Sequence, residues 1–116
     1  MITLYGIKSC DTCRKARKTL DAQGTPYRYH DLREAGLDDE LLEHFIDQAG
    51  LQALLNTRST TWRALDGAER QAAKNDAAHA HALMLAQPTL IKRPLLDTGE
   101  HLIVGFHADD YAALAG

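Results

Sequence analysis

The chain has 116 residues, a hydrophobic fraction of 45%, a charged fraction of 25% and a formal net charge of -3 at pH 7. This size and composition are typical of one globular domain that buries a core without disulfide or metal support. The weakly acidic balance argues against direct nucleic-acid binding, and the apolar runs are too short to span a membrane. The first ten residues lack the features of a secretion signal, so we expect a cytoplasmic protein.

The first part of the chain predicts a strand, a helix and a second strand. These three segments lie at residues 1–5, about 11–22 and 25–32. Ser9 or Cys10 can cap the helix, and Gly24 is placed to end it. Two strands joined by a helix form a βαβ unit, whose crossover we expect to be right-handed.

The centre of the chain predicts helices, and its last part predicts a hairpin and a helix. The helical segments lie at residues 37–50, after the Asn-Thr-Arg-Ser loop, and at 67–86 with a break near Asn75 and Asp76. Two short apolar runs around Thr98-Gly99 predict a hairpin, and residues 108–115 predict the final helix. Strands on either side of a helical insert favour a mixed sheet with helices on both faces, in an α/β or α+β fold.

Cys10 and Cys13 are the only cysteines, and they lie three residues apart at the start of the first predicted helix. Residues at this spacing share a helix face, and the free N–H groups and dipole of a helix N-terminus favour a thiolate. Lys8 and Arg14 flank Cys10 and favour its thiolate further, whereas Asp11 opposes it. We therefore predict that Cys10 is the nucleophile and that Cys13, closer to the interior, is the less reactive resolving thiol.

Two other interpretations of the cysteines stay open, because they can be plain core residues or half of a zinc site. A structural zinc ion needs four ligands, and none of the six histidines shows the spacing of a second ligand pair. His79 and His81 are two apart in a predicted helix and do not share a face. We therefore predict no metal site and expect each histidine to be a solvated surface residue.

Three segments carry a resemblance to a known family, and they are "TLYGIKSCDTCRKARKTL", "LLNTRSTTWR" and "LIKRPLL". In this order and spacing they resemble the ArsC/Spx family, which joins glutaredoxin-linked arsenate reductases to the Spx transcriptional regulators, and within it the YffB group. The resemblance covers essentially the whole chain. It implies one thioredoxin-like domain over residues 1–116, with a mixed β-sheet and a helical subdomain inserted at about 37–87.

The resemblance also implies roles for single residues. Cys10 matches the family's nucleophile, and Arg58 matches an arginine that helps to hold an oxyanion. Arg93 precedes Pro94, which matches the family's cis-proline. With Lys8 and Arg14, these residues form a predicted site for an anion or for glutathione. Alternatively, Arg58 is a plain surface residue and Arg93 pairs with a carboxylate such as Asp97 or Asp31.

The sequence departs from the arsenate reductases of the family at two places. They carry a histidine four positions before the cysteine, where this chain has Gly6, and a further arginine after the last strand, where it has Phe106. Both departures weaken an arsenate assignment. The second cysteine, Cys13, is typical of the Spx regulators and favours the regulator alternative.

The resemblance therefore implies a thiol reductase linked to glutathione or glutaredoxin, with no bound cofactor and with glutathione as the thiol co-substrate. The alternative is an Spx-like regulator that docks on RNA polymerase and uses the two cysteines as a redox switch. Neither hypothesis requires direct contact with nucleic acid or a membrane.

Overall fold

The computed structural model describes residues 2–115, which divide into two compact units. The first unit contains residues 2–36 and 93–115, and the second contains Leu37–Lys92. The predicted insertion at about 37–87 falls within the second unit. The predicted first strand starts at Met1, which lies outside the described residues.

The two units contain four strands and seven α-helices among the described residues. In chain order they are β1 Thr3–Gly6, α1 Asp11–Ala22, β2 Arg28–Asp31, α2 Asp39–Ala49, α3 Leu51–Leu54, α4 Thr60–Ala64, α5 Gly67–Asn75, α6 Ala77–Ala86, β3 Leu95–Asp97, β4 Leu102–Val104 and α7 Ala108–Ala112. A 3₁₀ turn at Pro88–Leu90 follows α6. The strands form one sheet in the order β2-β1-β3-β4. β1 pairs with β2 in parallel and with β3 antiparallel, and β3 pairs antiparallel with β4, so the predicted mixed sheet is confirmed.

The predicted bounds of α1 are confirmed, and the way this helix ends explains why β2 starts late. Gly24 adopts a φ of 71°, and its N–H donates to the Asp21 carbonyl at 3.2 Å. The Thr25 N–H donates to the Leu20 carbonyl at 3.0 Å, which completes a Schellman ending. Thr25 is therefore part of the helix ending, and the following Pro26 has no N–H to give to a sheet. The strand predicted from residue 25 begins at Arg28 for this reason.

The core of the first unit joins α1 and α7 to the sheet. A fully buried cluster contains Leu4, Ala16, Leu20, Leu96 and Tyr111. α7 ends at Ala112 although a helix was predicted over 108–115, since the N–H groups of Leu114 and Ala115 bond to carbonyls three residues earlier and not four. The Gln23 side-chain amide donates to the Tyr111 carbonyl at 2.7 Å and ties α7 to the end of α1.

The second unit contains five α-helices, and side-chain oxygens cap the starts of four of them. The caps are Asp38 for α2, Ser59 for α4, Asp66 for α5 and Asp76 for α6. Asp76 ends α5 and also caps α6, which confirms the predicted break. Trp62 is 5% exposed, as expected for a core anchor of the insert.

The histidines of α6 differ from the prediction of solvated surface residues. His79 Nε2 lies 2.8 Å from Glu69 Oε2, and His81 Nε2 lies 2.9 Å from Asp39 Oδ1. Each imidazole therefore joins two helices of this unit through a carboxylate. Within residues 2–115, no group of three or more His, Cys, Asp or Glu side chains is placed to hold a metal ion.

None of the helices described between residues 2 and 115 combines the length and the apolar character that crossing a membrane requires.

The loop between β1 and α1 is held by a buried carboxylate. Asp31, at the end of β2, is 5% exposed and accepts the N–H groups of Lys8 at 2.8 Å, Arg33 at 2.8 Å and Glu34 at 2.9 Å. Burial alone would raise the pKa of this carboxyl, but the three N–H bonds outweigh it and lower the pKa. Asp31 thereby fixes the segment that leads into α1.

Replacing Asp31 tests this arrangement. Asp31→Ala leaves three N–H groups without their acceptor, and we expect the free energy of unfolding to fall by roughly 2–4 kcal/mol. Because the folded pKa is depressed, the contribution is complete above the unfolded pKa of about 3.9 and is lost as the pH falls through the lower folded pKa. Urea unfolding should therefore show the wild-type and Asp31→Ala stabilities converging below about pH 4. Glu100→Ala, in the exposed hairpin turn, is the control, and an equal loss there would contradict a specific role.

Candidate dithiol site at the start of the first helix

Cys10 caps α1 with its sulfur. Its backbone is extended, with φ -92° and ψ 119°, and its Sγ accepts the Cys13 N–H at 3.4 Å. The Cys10 N–H donates to the Ile7 carbonyl at 3.0 Å, so the loop places this thiol at the helix start. Of the two residues offered by the sequence, Cys10 and not Ser9 is the cap. Both cysteines are free thiols in the structure.

The surroundings of Cys10 favour its thiolate. Partial burial alone would raise the pKa, but hydrogen bonds from the Cys13 thiol and N–H lower it, as do the charge and hydrogen bond of the Arg93 guanidinium. The hydrogen bonds and the charge outweigh burial, so the pKa of Cys10 lies below the ordinary value of a cysteine. Cys10 is only partly buried, so an external substrate can approach the sulfur.

Cys13 lies one helical turn further and is 1% exposed. Burial raises its pKa to about 12, and the hydrogen bond and charge of Cys10 act in the same direction. The two thiols thus share one helix face but differ in depth. The site joins an accessible thiol of lowered pKa to a buried thiol that keeps its proton.

Gly6 makes room for the Cys13 side chain. A β-carbon at residue 6 would lie 2.9 Å from Cys13 Sγ and 3.1 Å from Cys13 Cβ, closer than side chains tolerate. Gly6 has no left-handed backbone that would require glycine, so the requirement is for space alone. The glycine at position 6 and the second cysteine at position 13, which the sequence presented as separate features, are therefore one structural feature.

Arg93 and Pro94 approach the site from the start of β3. The Arg93–Pro94 peptide bond is cis, which confirms the expectation drawn from the resemblance. The Pro94 carbonyl accepts the N–H of Gly105, the residue that follows β4, at 2.8 Å, and this bond holds Pro94 in place. Of the predicted basic residues, Arg93 is the one whose charge acts on both cysteines.

The flanking cations Lys8 and Arg14 have other partners. The Arg14 guanidinium pairs with Asp11 and also reaches the Lys8 carbonyl at 3.4 Å. Lys8 Nζ lies 4.0 Å from Glu34 Oε1 and is highly exposed. The leading influences on the Cys10 pKa are burial, Cys13 and Arg93. The predicted role of Lys8 and Arg14 in ligand binding stays a prediction.

Arg58 and Phe106 are the two remaining residues that the sequence analysis singled out. Arg58 belongs to the second unit, where it is exposed and its N–H donates to Asn56 Oδ1 at 3.1 Å. Phe106 is half-buried, and its ring centroid lies 4.7 Å from that of Tyr111, with Lys15 Nζ 5.4 Å from the Phe106 centroid. Sequence reasoning named Asp31 only as a possible partner of Arg93 and missed its role in holding the loop. It also missed Tyr111, and no local motif marks either role.

Comparison with known proteins places the chain in a family. A model of the ArsC family matches residues 5–114. The solved structure of a YffB protein is 46% identical, covers 100% of both chains and has a TM-score of 0.89. An arsenate reductase-related protein from Brucella melitensis is 45% identical over 97% of this chain and 92% of its own, with a TM-score of 0.79. The global transcriptional regulator Spx of Streptococcus pneumoniae is 27% identical over 97% of this chain and 84% of its own. The predicted thioredoxin-like α/β fold is confirmed.

The two thiols should react at very different rates. In Cys13→Ser, which keeps Cys10, alkylation should reach half its maximal rate below about pH 8.5, the usual cysteine pKa. In Cys10→Ser, which keeps Cys13, alkylation at pH 7 should be at least about 100-fold slower, because the remaining thiol is buried and protonated. Both variants should react alike in denaturant. Faster alkylation of Cys13 in the folded protein would reverse the assigned roles.

The contact between Gly6 and Cys13 predicts a non-additive pair of substitutions. Gly6→Ala should lower the free energy of unfolding by about 1–3 kcal/mol, because the new methyl group overlaps the sulfur. Combined with Cys13→Ala, it should cost about 1 kcal/mol less than the sum of the two single variants. Gly67→Ala is the matched control, since no atom lies within 4 Å of its β-carbon position. Additive effects in urea unfolding would show that the close approach is harmless.

Proposed function

This chain belongs to the ArsC family, and on that premise we propose that it is a thiol-dependent reductase supplied with electrons by glutathione or a glutaredoxin. One observation carries the proposal. A partly exposed thiol of lowered pKa, Cys10, caps a helix, and a buried thiol one turn further, Cys13, is hydrogen-bonded to it. This division of access and acidity suits a nucleophile and a resolving thiol.

The proposed cycle oxidises the two cysteines and reduces a disulfide. The Cys10 thiolate attacks one sulfur of the substrate, a mixed disulfide forms, and the other substrate sulfur leaves as a thiolate. Cys13 loses its proton and attacks Cys10 Sγ, which releases the second substrate thiolate and forms the Cys10–Cys13 disulfide. Two glutathione molecules, or one reduced glutaredoxin, return the two electrons to the pair.

Glutathione fits the charged groups near Cys10. An open pocket of about 330 Å³ lies at the loop that precedes this residue and is lined by Ile7, Lys8, Ser9, Asp31, Arg33 and Glu34. Glutathione carries two carboxylates and one ammonium group. Lys8 and Arg33 supply cations for carboxylates, and Glu34 supplies an anion for the ammonium group. Arg93 and Pro94 would meet the part of the ligand that lies at the Cys10 sulfur.

We propose that arsenate is not an efficient substrate. The family's additional arginine is replaced by Phe106, whose ring packs on Tyr111 and cannot donate to an oxyanion. The family's histidine is replaced by Gly6, where Cys13 leaves no room for a side chain. Arg58 stays in the proposal as an anion-binding residue, because its exposed side chain is available to a ligand.

The test combines intact mass with turnover. A mild oxidant should lower the mass by two hydrogens, and glutathione should restore the reduced mass. Turnover should then be measured on disulfide, arsenate and peroxide substrates. We expect disulfide reduction that Cys10→Ser abolishes.

Arg93→Ala should raise the Cys10 pKa and lower the rate about tenfold, through loss of a charge-assisted hydrogen bond. Arg28→Ala, at an exposed position of β2, is the matched control.

A second candidate function follows from the similarity to Spx over nearly the whole chain. In this alternative the Cys10–Cys13 pair is a redox switch on a protein that docks on RNA polymerase. Recovery of RNA polymerase subunits by the oxidised but not the reduced protein, without disulfide turnover, would replace the reductase proposal by this one. Arsenate turnover like that of a dedicated reductase would instead refute the argument from Phe106 and Gly6.

A further inference from the structure

Tyr111 carries a buried polar group that the fold does not use. The side chain is 0% exposed, and its hydroxyl has no hydrogen-bond partner in the part of the chain that the structure describes. A buried hydroxyl without a partner costs free energy, and a phenylalanine would avoid that cost. Such a group calls for an explanation in terms of function.

Tyr111 lies in the same buried layer as Cys13. The cluster around Tyr111 includes Ala16, the next residue on the buried stripe of α1 after Cys13, and Leu4 of β1. Gly6 lies two residues after Leu4 and therefore on the same face of the strand, and its β-carbon position is 2.9 Å from Cys13 Sγ. Burial raises the pKa of Tyr111, and the charge of Cys13 raises it further. The Tyr111 hydroxyl therefore keeps its proton and remains a donor.

The resolving step creates a need for a donor at Cys13. This sulfur must become an anion before it can attack, yet it is only 1% exposed, so water solvates the anion poorly. The Arg93 guanidinium acts on Cys13, but it also hydrogen-bonds the Cys10 sulfur. A second donor would stabilise the buried anion where solvent is excluded.

We propose that the Tyr111 hydroxyl donates a hydrogen bond to Cys13 Sγ as this sulfur becomes a thiolate. The inference rests on the proposed function, because it concerns the resolving step of that reaction. In this step the Cys13 proton passes to solvent, the Cys13 sulfur forms a bond to Cys10 Sγ, and the Cys10–substrate bond breaks. The electron pair of that bond leaves with the substrate thiolate. Tyr111 keeps its own proton throughout.

Tyr29 is the competing donor and supplies the matched control. A ring carbon of Tyr29 lies 3.6 Å from the β-carbon position of Gly6, next to Cys13. However, Tyr29 is only half-buried, and the Arg17 guanidinium lies 4.1 Å from its ring centroid. A hydroxyl at a partly exposed edge can be satisfied by water, whereas that of Tyr111 cannot.

The experiment separates attack by Cys10 from attack by Cys13. Reduced protein is mixed with dithiobis(nitrobenzoate), whose first coloured thiolate leaves when Cys10 attacks and whose second leaves when Cys13 resolves the mixed disulfide. Tyr111→Phe should slow the second release about tenfold and leave the first within about twofold. Tyr29→Phe should leave both within about twofold. The thermal midpoint of Tyr111→Phe should equal or exceed that of wild type, because the removed hydroxyl had no partner.

Each other outcome has a definite meaning. An unchanged second release in Tyr111→Phe, or equal slowing in Tyr29→Phe, would overturn the inference and leave the proposed function intact. A lower thermal midpoint in Tyr111→Phe would show that the hydroxyl is already bonded in the reduced protein, and would also overturn it. If the wild type released only one coloured thiolate, as expected of Cys13→Ser, Cys13 would not resolve. The proposed roles of the two cysteines would then fail together with this inference.

Discussion

The site depends on a helix that is capped by sulfur. In α2, α4, α5 and α6 the cap is an oxygen that accepts an N–H group at 2.8–3.1 Å, and the α6 cap accepts a second one at 3.4 Å. In α1 the acceptor is Cys10 Sγ at 3.4 Å, and a thiol sulfur is a weak acceptor. Ionisation turns it into a strong one, since a thiolate carries a full charge toward the N–H groups and the dipole of the helix. The start of α1 and the thiolate therefore stabilise one another.

Depth in the first unit decides what each sulfur can do. Cys10 and Cys13 share neighbours, including Arg93, yet their pKa values shift in opposite directions. The difference arises because the helix carries the chain inward within one turn, from a partly exposed cap to a fully enclosed position. A pair built in this way exposes one thiol to external partners and protects the other from them. In the proposed reaction, the order of the chemical steps would therefore follow from the helix geometry.

The parts of this fold that local rules govern were predictable from sequence. The bounds of α1 and the break at Asp76 follow from capping residues, and each is closed by hydrogen bonds only a few residues long. The start of β2 was missed because Thr25 belongs to the ending of α1.

The roles of Asp31 and Tyr111 were missed for another reason. Asp31 holds a loop that lies 23 residues earlier in the chain, and Tyr111 packs against α1 and β1 from the far end of the sequence. The spacing of residues in the sequence does not predict such long-range contacts. The cis bond before Pro94 was expected only from the resemblance to the family.

The contact between Gly6 and Cys13 limits the order in which this site can change. A side chain at the end of β1 and a second thiol on α1 compete for the same volume, so a protein of this geometry loses stability if it has both. A mutational route between the two kinds of site therefore loses less stability if it gives up the sulfur before it adds a side chain at the strand end. A designer who wishes to install a buried resolving thiol in a related scaffold has to begin by emptying the strand position opposite it. For the same reason, a glycine four residues before the first cysteine of such a pair is a sequence marker of a buried second thiol.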